Sequence, residues 1–209
     1  MTRDEEKAWI SEVVRGVRKQ FCLTAAAEQR GPVRLARFLA EHSLRYDEIP
    51  QLSRAAVFDD LMAKGIPPGD LGPDEDLAGF LYVSGPLGRV YVNASDPLPR
   101  RRFTAGHELG HFVLHRGQMG GRTSFGDTPE AVREVGDNES QDMERQANRF
   151  AAELLMPTEV CRARAEEFYK AYKVLPIQPF AYQLAAELLV STEAMRYRLQ
   201  ELGVVDERH

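Results

Sequence analysis

The run His107-Glu108-Leu109-Gly110-His111 carries the residue types and spacing that could do chemistry. On an α-helix, residues four apart lie about 40° apart around the axis. His107 and His111 would therefore project from one face, one turn apart, where two imidazoles can hold one metal ion. Glu108 would lie about 100° round the axis from His107. Its carboxylate there is badly placed to share the ion but can reach a water bound to it. Two histidines on a metal beside a glutamate base is the zinc-peptidase arrangement.

Three fixed positions in five residues also recur by chance, so the motif needs support. Catalytic zinc usually has three protein ligands and keeps a fourth position for water. Downstream, residues 143–155 read as one helix, with Met143, Ala147, Phe150, Ala151, Leu154 and Leu155 at helical spacing. Glu144 and Asn148 lie four apart on a neighbouring face. A carboxylate at the first could bind metal while the amide at the second orients a ligand histidine. On spacing alone, Glu144 reads equally well as a solvated acid paired with Arg145 or Arg149.

Arg102-Phe103-Thr104 leading into His107-Glu108-Leu109-Gly110-His111, followed by Glu144-x-x-Ala147-Asn148-x-Phe150-Ala151-Ala152-Glu153-Leu154-Leu155-Met156-Pro157, resembles the ImmA/IrrE family of metallopeptidases. The likeness covers about residues 79 to 203. It is the resemblance, rather than spacing, that selects Glu144 over Glu139 and Glu153 as third ligand. It also implies a zincin-like fold, and a protein substrate that is a repressor with a helix-turn-helix DNA-binding domain. Zn²⁺ is the expected cofactor, and Mn²⁺ suits mixed histidine and carboxylate ligation as well. Residues 1 to about 50 lie outside the likeness.

The elements that must position these residues follow from patterning. Residues 4 to about 28 carry a helical stripe of Trp9, Val13, Val14, Val17 and Phe21, broken at Gly31-Pro32. A second helix is expected from Val33 to His42, with Leu35, Phe38 and Leu39 inward. Ser53 reads as the cap of a helix ending at Leu61 or Met62. Residues 79–84 and 89–93 are rich in aromatic and β-branched types, and the Gly85-Pro86-Leu87-Gly88 between them predicts a hairpin. An exposed edge of such a sheet could align a substrate backbone as an added strand. Asp96-Pro97-Leu98-Pro99 launches the metal helix, which should end near His115. His115 is eight residues past His107, about 12 Å along the axis, too far for all three histidines to share one ion. It reads as a helix C-terminal residue favoured by the dipole. The glycine-rich connection 116–141 reads as a lid, a substrate-reading loop or an insert without a role.

Thr158 is expected to cap a helix reaching Tyr172. Residues 180–203 read as two helices joined at Val190-Ser191, resembling a helix-turn-helix. From Gln183 to Gly203, Arg196 and Arg198 stand against Glu187, Glu193 and Glu201, a balance that disfavours phosphate binding. The fold class is thus α+β, mostly helical with a small hairpin sheet beside the metal helix. The expected division is a helical N-terminal segment at 1–50, a peptidase core at 51–157 and a C-terminal helical segment at 158–209.

Composition excludes some classes. Net charge is −5, and the first sixty residues hold ten basic and ten acidic side chains, so no basic arm recruits nucleic acid. No apolar run approaches the ~18 residues of a membrane helix, and the opening Thr2-Arg3-Asp4-Glu5-Glu6-Lys7 is no signal peptide. Cys22 and Cys161 lack metal or redox spacing and read as free thiols of a cytoplasmic protein. Against the endopeptidase reading stand a binding module that sequesters its partner and a DNA-binding regulator using the C-terminal helices.

Overall fold

The computed structural model describes residues 2–20, 31–84, 87–118, 124–127, 138–173 and 176–204. It is an α+β chain with eight α-helices and a four-stranded sheet among the described residues. Two compact units are present: residues 34–148, and residues 1–33 together with 149–209.

The unit 34–148 holds the sheet, in the order β1-β3-β2-β4. Strands β2 (Gly79–Ser84) and β3 (Leu87–Asn93) form the antiparallel pair expected from their composition. The hairpin tip Gly85-Pro86 lies outside the described residues. Two further strands flank this pair. β1 (Leu44–Ile49) runs parallel to β3, with Leu44 opposite Gly88 and Ile49 opposite Asn93. β4 (Ser124–Asp127) pairs antiparallel with β2. β1 falls in the stretch read from sequence as a helical N-terminal segment, and β4 in the stretch read as a glycine-rich connection. Each is an edge strand, so neither carries the apolar run of a central strand.

Side chains alternate across the sheet with a period of two. Phe80, Tyr82 and Tyr91 point to one face, where they pack with Leu52, Val57, Leu61, Leu71 and Leu77. That layer includes α3 (Arg54–Ala63), whose cap Ser53 accepts a hydrogen bond from the Ala56 amide. α2 spans Leu35–Glu41 and buries Leu35, Phe38 and Leu39. The opposite face carries Gly79 and Gly88, and here α4 (Leu98–His115) lies against β2 and β3. Pro99 sits in the first turn of α4, where a missing amide hydrogen costs nothing. Every residue from Thr104 to Phe112 is buried, so the helix is enclosed on all sides over the motif.

In the other unit, α1 (Arg3–Lys19) begins with a reciprocal cap between Thr2 and Glu5. Its buried stripe is Ile10, Val14 and Val17, whereas Trp9 is 40% exposed and Val13 is half-buried. Val14 and Val17 of the expected stripe are thus buried, and Ile10 takes the place of Trp9. Phe21 and Cys22 lie outside the described residues. α5 (Asn138–Leu155) contributes its later turns here, followed by α6 (Thr158–Tyr172), α7 (Ile177–Leu188) and α8 (Thr192–Glu201). Pro157, not Thr158, takes the cap position of α6. Thr158 is the first helical residue, and Glu153 accepts hydrogen bonds from both its amide and its hydroxyl. α7 and α8 pack as a pair, with Ser191 capping α8. Arg198 is buried, donating to Glu153, Glu201 and the Met156 carbonyl, so it anchors α8 within its own unit. Of the two arginines on that helix, only Arg196 is presented to solvent. No helix among the described residues is long and apolar enough to cross a membrane.

Candidate metal centre

α4 and the first turns of α5 bring three donor groups together. His107 Nε2 and His111 Nε2 are 2.9 Å apart, as expected for two histidines one turn apart whose rings converge. Glu144 bridges them, with Oε2 3.2 Å from His107 Nε2 and Oε1 3.2 Å from His111 Nε2. Both histidines are buried, while the Glu144 side chain is 29% exposed. Among the described residues, this is the group of histidines and acids whose ligand atoms lie within 4.8 Å of one another.

A second contact fixes how the first histidine is protonated. His107 Nδ1 donates to Asn148 Oδ1 at 3.0 Å, and Asn148 stands one turn beyond Glu144 on α5. With the proton of a neutral imidazole on Nδ1, Nε2 presents a lone pair. That lone pair faces a second imidazole and a carboxylate, which only accepts. Three electron-pair donors converging on one point repel unless a cation or proton lies among them, so the donor set fits a divalent metal. Burial pushes the Glu144 carboxyl up, but wherever a proton rather than a metal sits between it and the His107 and His111 rings, their hydrogen bonds and charge more than offset this and hold it well below the usual carboxylate range.

The sequence profile of the IrrE N-terminal-like domain, a peptidase family, matches residues 72–200. This chain belongs to that family. The matched segment holds all of His107, Glu108, His111, Glu144 and Asn148. No curated protein matches the chain.

In this peptidase Glu108 is fully buried, next to His107 in sequence. Its carboxylate lies against the backbone of Gly79: a Cβ there would stand 2.6 Å from Glu108 Oε1 and 2.3 Å from the Thr104 methyl. Only a residue without a side chain lets the strand and the carboxylate approach so closely. Gly79 and Thr104 thus belong to the site's frame. Sequence reasoning named Gly79 in a strand and Thr104 in the motif but gave neither this role, since a glycine opening a strand carries no chemical signal of its own.

His115 is not among the three converging groups. It lies on the same helix with its ring centroid 5.5 Å from that of His111, and its Nε2 donates to the Met143 carbonyl at 3.3 Å. It is 1% exposed, and burial together with His111 pushes its pKa down to about 4. The residue is a neutral, enclosed tie between α4 and α5, rather than a cation complementing the helix dipole.

Proposed function

We propose that the chain is a metal-dependent endopeptidase in which His107, His111 and Glu144 hold Zn²⁺ and Glu108 is the general base. The observation that carries this reading is the convergence of the two Nε2 atoms and the Glu144 carboxylate, with Asn148 holding His107 in the right tautomer. A divalent ion bound there would act as a Lewis acid, lowering the pKa of a water from about 15.7 toward about 7 and polarising the scissile carbonyl. Mn²⁺ would suit the same donors.

Glu108 would accept the proton of the attacking water and pass it to the departing amine nitrogen. Its enclosure against Gly79 keeps the carboxylate in one place, so little of the barrier goes into orienting it. Asn148 would keep His107 Nδ1 occupied, so that Nε2 always faces the metal. The substrate is a cytoplasmic partner protein, and the family resemblance points to a helix-turn-helix repressor whose cleavage would relieve repression. The burial of Arg198 counts against direct reading of DNA by α8.

The test uses Glu108→Gln, which removes the base and leaves the ligands. Loaded with zinc, this variant should retain the metal and hold its partner uncleaved, allowing the captured protein to be identified by mass spectrometry. Wild-type protein should then cut that partner at one site. A wild type that carries zinc and binds the same partner, yet leaves it intact, would replace this reading with stoichiometric sequestration.

A further inference from the structure

Histidines recur at every fourth residue along the second half of α4, and the converging donor group uses His107 and His111 but not His115. His115 comes one turn after His111 on the same side of the helix, with the ring centroids 5.5 Å apart. Its Nε2 is 3.3 Å from the Met143 carbonyl oxygen on α5. A carbonyl only accepts, so the ring donates and carries its proton on Nε2. Within α5 the same carbonyl is the acceptor for the amide four residues on, and its second lone pair serves the ring. His115 therefore adds a bond to α5 without taking one away.

The residue after Met143 gives that bond its importance. The Met143 carbonyl and the Glu144 amide belong to one planar peptide unit, which ends at the Glu144 Cα. Holding the carbonyl therefore fixes the point from which the Glu144 side chain starts. Polar ties between α4 and α5 form a ladder: Asn148 to His107, Glu144 to both His107 and His111, and Met143 to His115. Rising numbers on α4 meet falling numbers on α5, so the two helices run antiparallel here and the outer rungs bracket the carboxylate. All of these residues lie within the unit 34–148. Glu144 is also the least enclosed of the three donors, its side chain 29% exposed where both histidines are buried. Its placement thus depends more on its backbone than on packing around it. Carboxylate oxygens bind zinc at about 2.0–2.2 Å, a narrow range that a small slide of the helix would leave.

We propose that His115 is a positioning residue of the metal site: through the Met143 carbonyl it holds the Glu144 backbone at the reach that brings the carboxylate to His107 and His111. The inference rests on the metal-site reading above. It gives His115 no contact with the ion or with substrate.

Zinc affinity of the full chain tests this, read by competition against a chromophoric chelator at one pH for wild type, His115→Phe and His115→Gln. Phenylalanine fills the space of the ring but donates nothing, whereas a glutamine amide can place an N–H where Nε2 stands. His115→Phe should weaken zinc binding about tenfold, and His115→Gln should stay within about twofold of wild type. The melting temperature of each metal-free protein is measured alongside. A lower melting temperature in His115→Phe with zinc affinity unchanged is the signature of a packing role alone, and would overturn the proposal while leaving the metal site in place. Equal losses of affinity in His115→Phe and His115→Gln would also overturn it, since the donated hydrogen bond would not be the cause. A wild type that binds no zinc would remove the metal-site reading and this inference with it. If His115→Phe fails to fold, His115→Asn takes its place: the shorter amide falls short of the Met143 carbonyl and should lose the affinity that His115→Gln keeps.

Discussion

The carboxylate of Glu144 and the amide of Asn148 stand one turn apart on α5, the first within 3.2 Å of both histidine Nε2 atoms and the second 3.0 Å from His107 Nδ1. One helix therefore supplies both a donor and the group that aims another donor. Asn148→Leu should fold and lose roughly 10–100-fold in zinc affinity. Asn148→Asp, which keeps an acceptor at that point, should retain most of it. Competition against a chromophoric chelator measures both, and equal affinity in the leucine variant would remove Asn148 from the site.

Gly79→Ala puts a methyl group where Thr104 and the Glu108 carboxylate already lie. Overpacking of this kind costs about 1–3 kcal/mol. The larger effect should fall on turnover: displacing the base by about 1 Å is expected to slow cleavage on the order of 100-fold. Metal content should be unchanged, which separates this variant from a ligand mutant. Gly16→Ala serves as control, because a Cβ there meets nothing within 4 Å in the last turn of α1. It should gain roughly 0.5–1 kcal/mol from helix propensity.

Stripping the protein with a chelator and restoring zinc should move its melting temperature. A ligand at 100 times its Kd stabilises by about 2.7 kcal/mol, or roughly 5–10 °C for a chain of this size. Glu144→Ala should show little of that increment. Ligands bind metal only when deprotonated, so the wild-type increment should shrink as the pH is lowered. Differential scanning fluorimetry across a pH series reads all of this, and an increment preserved in Glu144→Ala would point to a different ligand set.

Glu153 and Arg198 are a buried ion pair holding α8 to the end of α5 and the start of α6. Removing one partner leaves an uncompensated buried charge, so Glu153→Leu or Arg198→Met alone should cost about 3–5 kcal/mol. The double substitution should recover most of the loss. Denaturant midpoints of the single and double variants form a cycle, and additive losses would mean the pair is not coupled.

What could be foreseen from sequence followed how strongly each segment signals its own structure. The helix around His107, the Ser53 and Ser191 caps and the β2–β3 pair are local patterns, and each lies where composition placed it. β1 and β4 are not local: Leu44–Ile49 is half charged and Ser124–Asp127 is four residues long, so both owe their strand form to a neighbour distant in sequence. His115 shows the same limit for a side chain. Its position was evident from spacing, but its enclosure depends on Met143, 28 residues away. Trp9 misled because an aromatic at helical spacing reads as core, whereas Ile10 beside it takes the buried place.

The unit that houses α1 is discontinuous, drawing on residues 1–33 and 149–209. During synthesis α1 leaves the ribosome well before its own unit is complete, since Glu159, which faces Arg18, follows only after residues 34–148 have been made. At roughly 5–20 residues per second, that interval is on the order of ten seconds. For that time Ile10, Val14 and Val17 form an apolar stripe with no completed core to enter, which makes the nascent α1 a ready client for chaperones. A nascent chain arrested before residue 149 should be correspondingly more sensitive to protease within α1 than the finished protein.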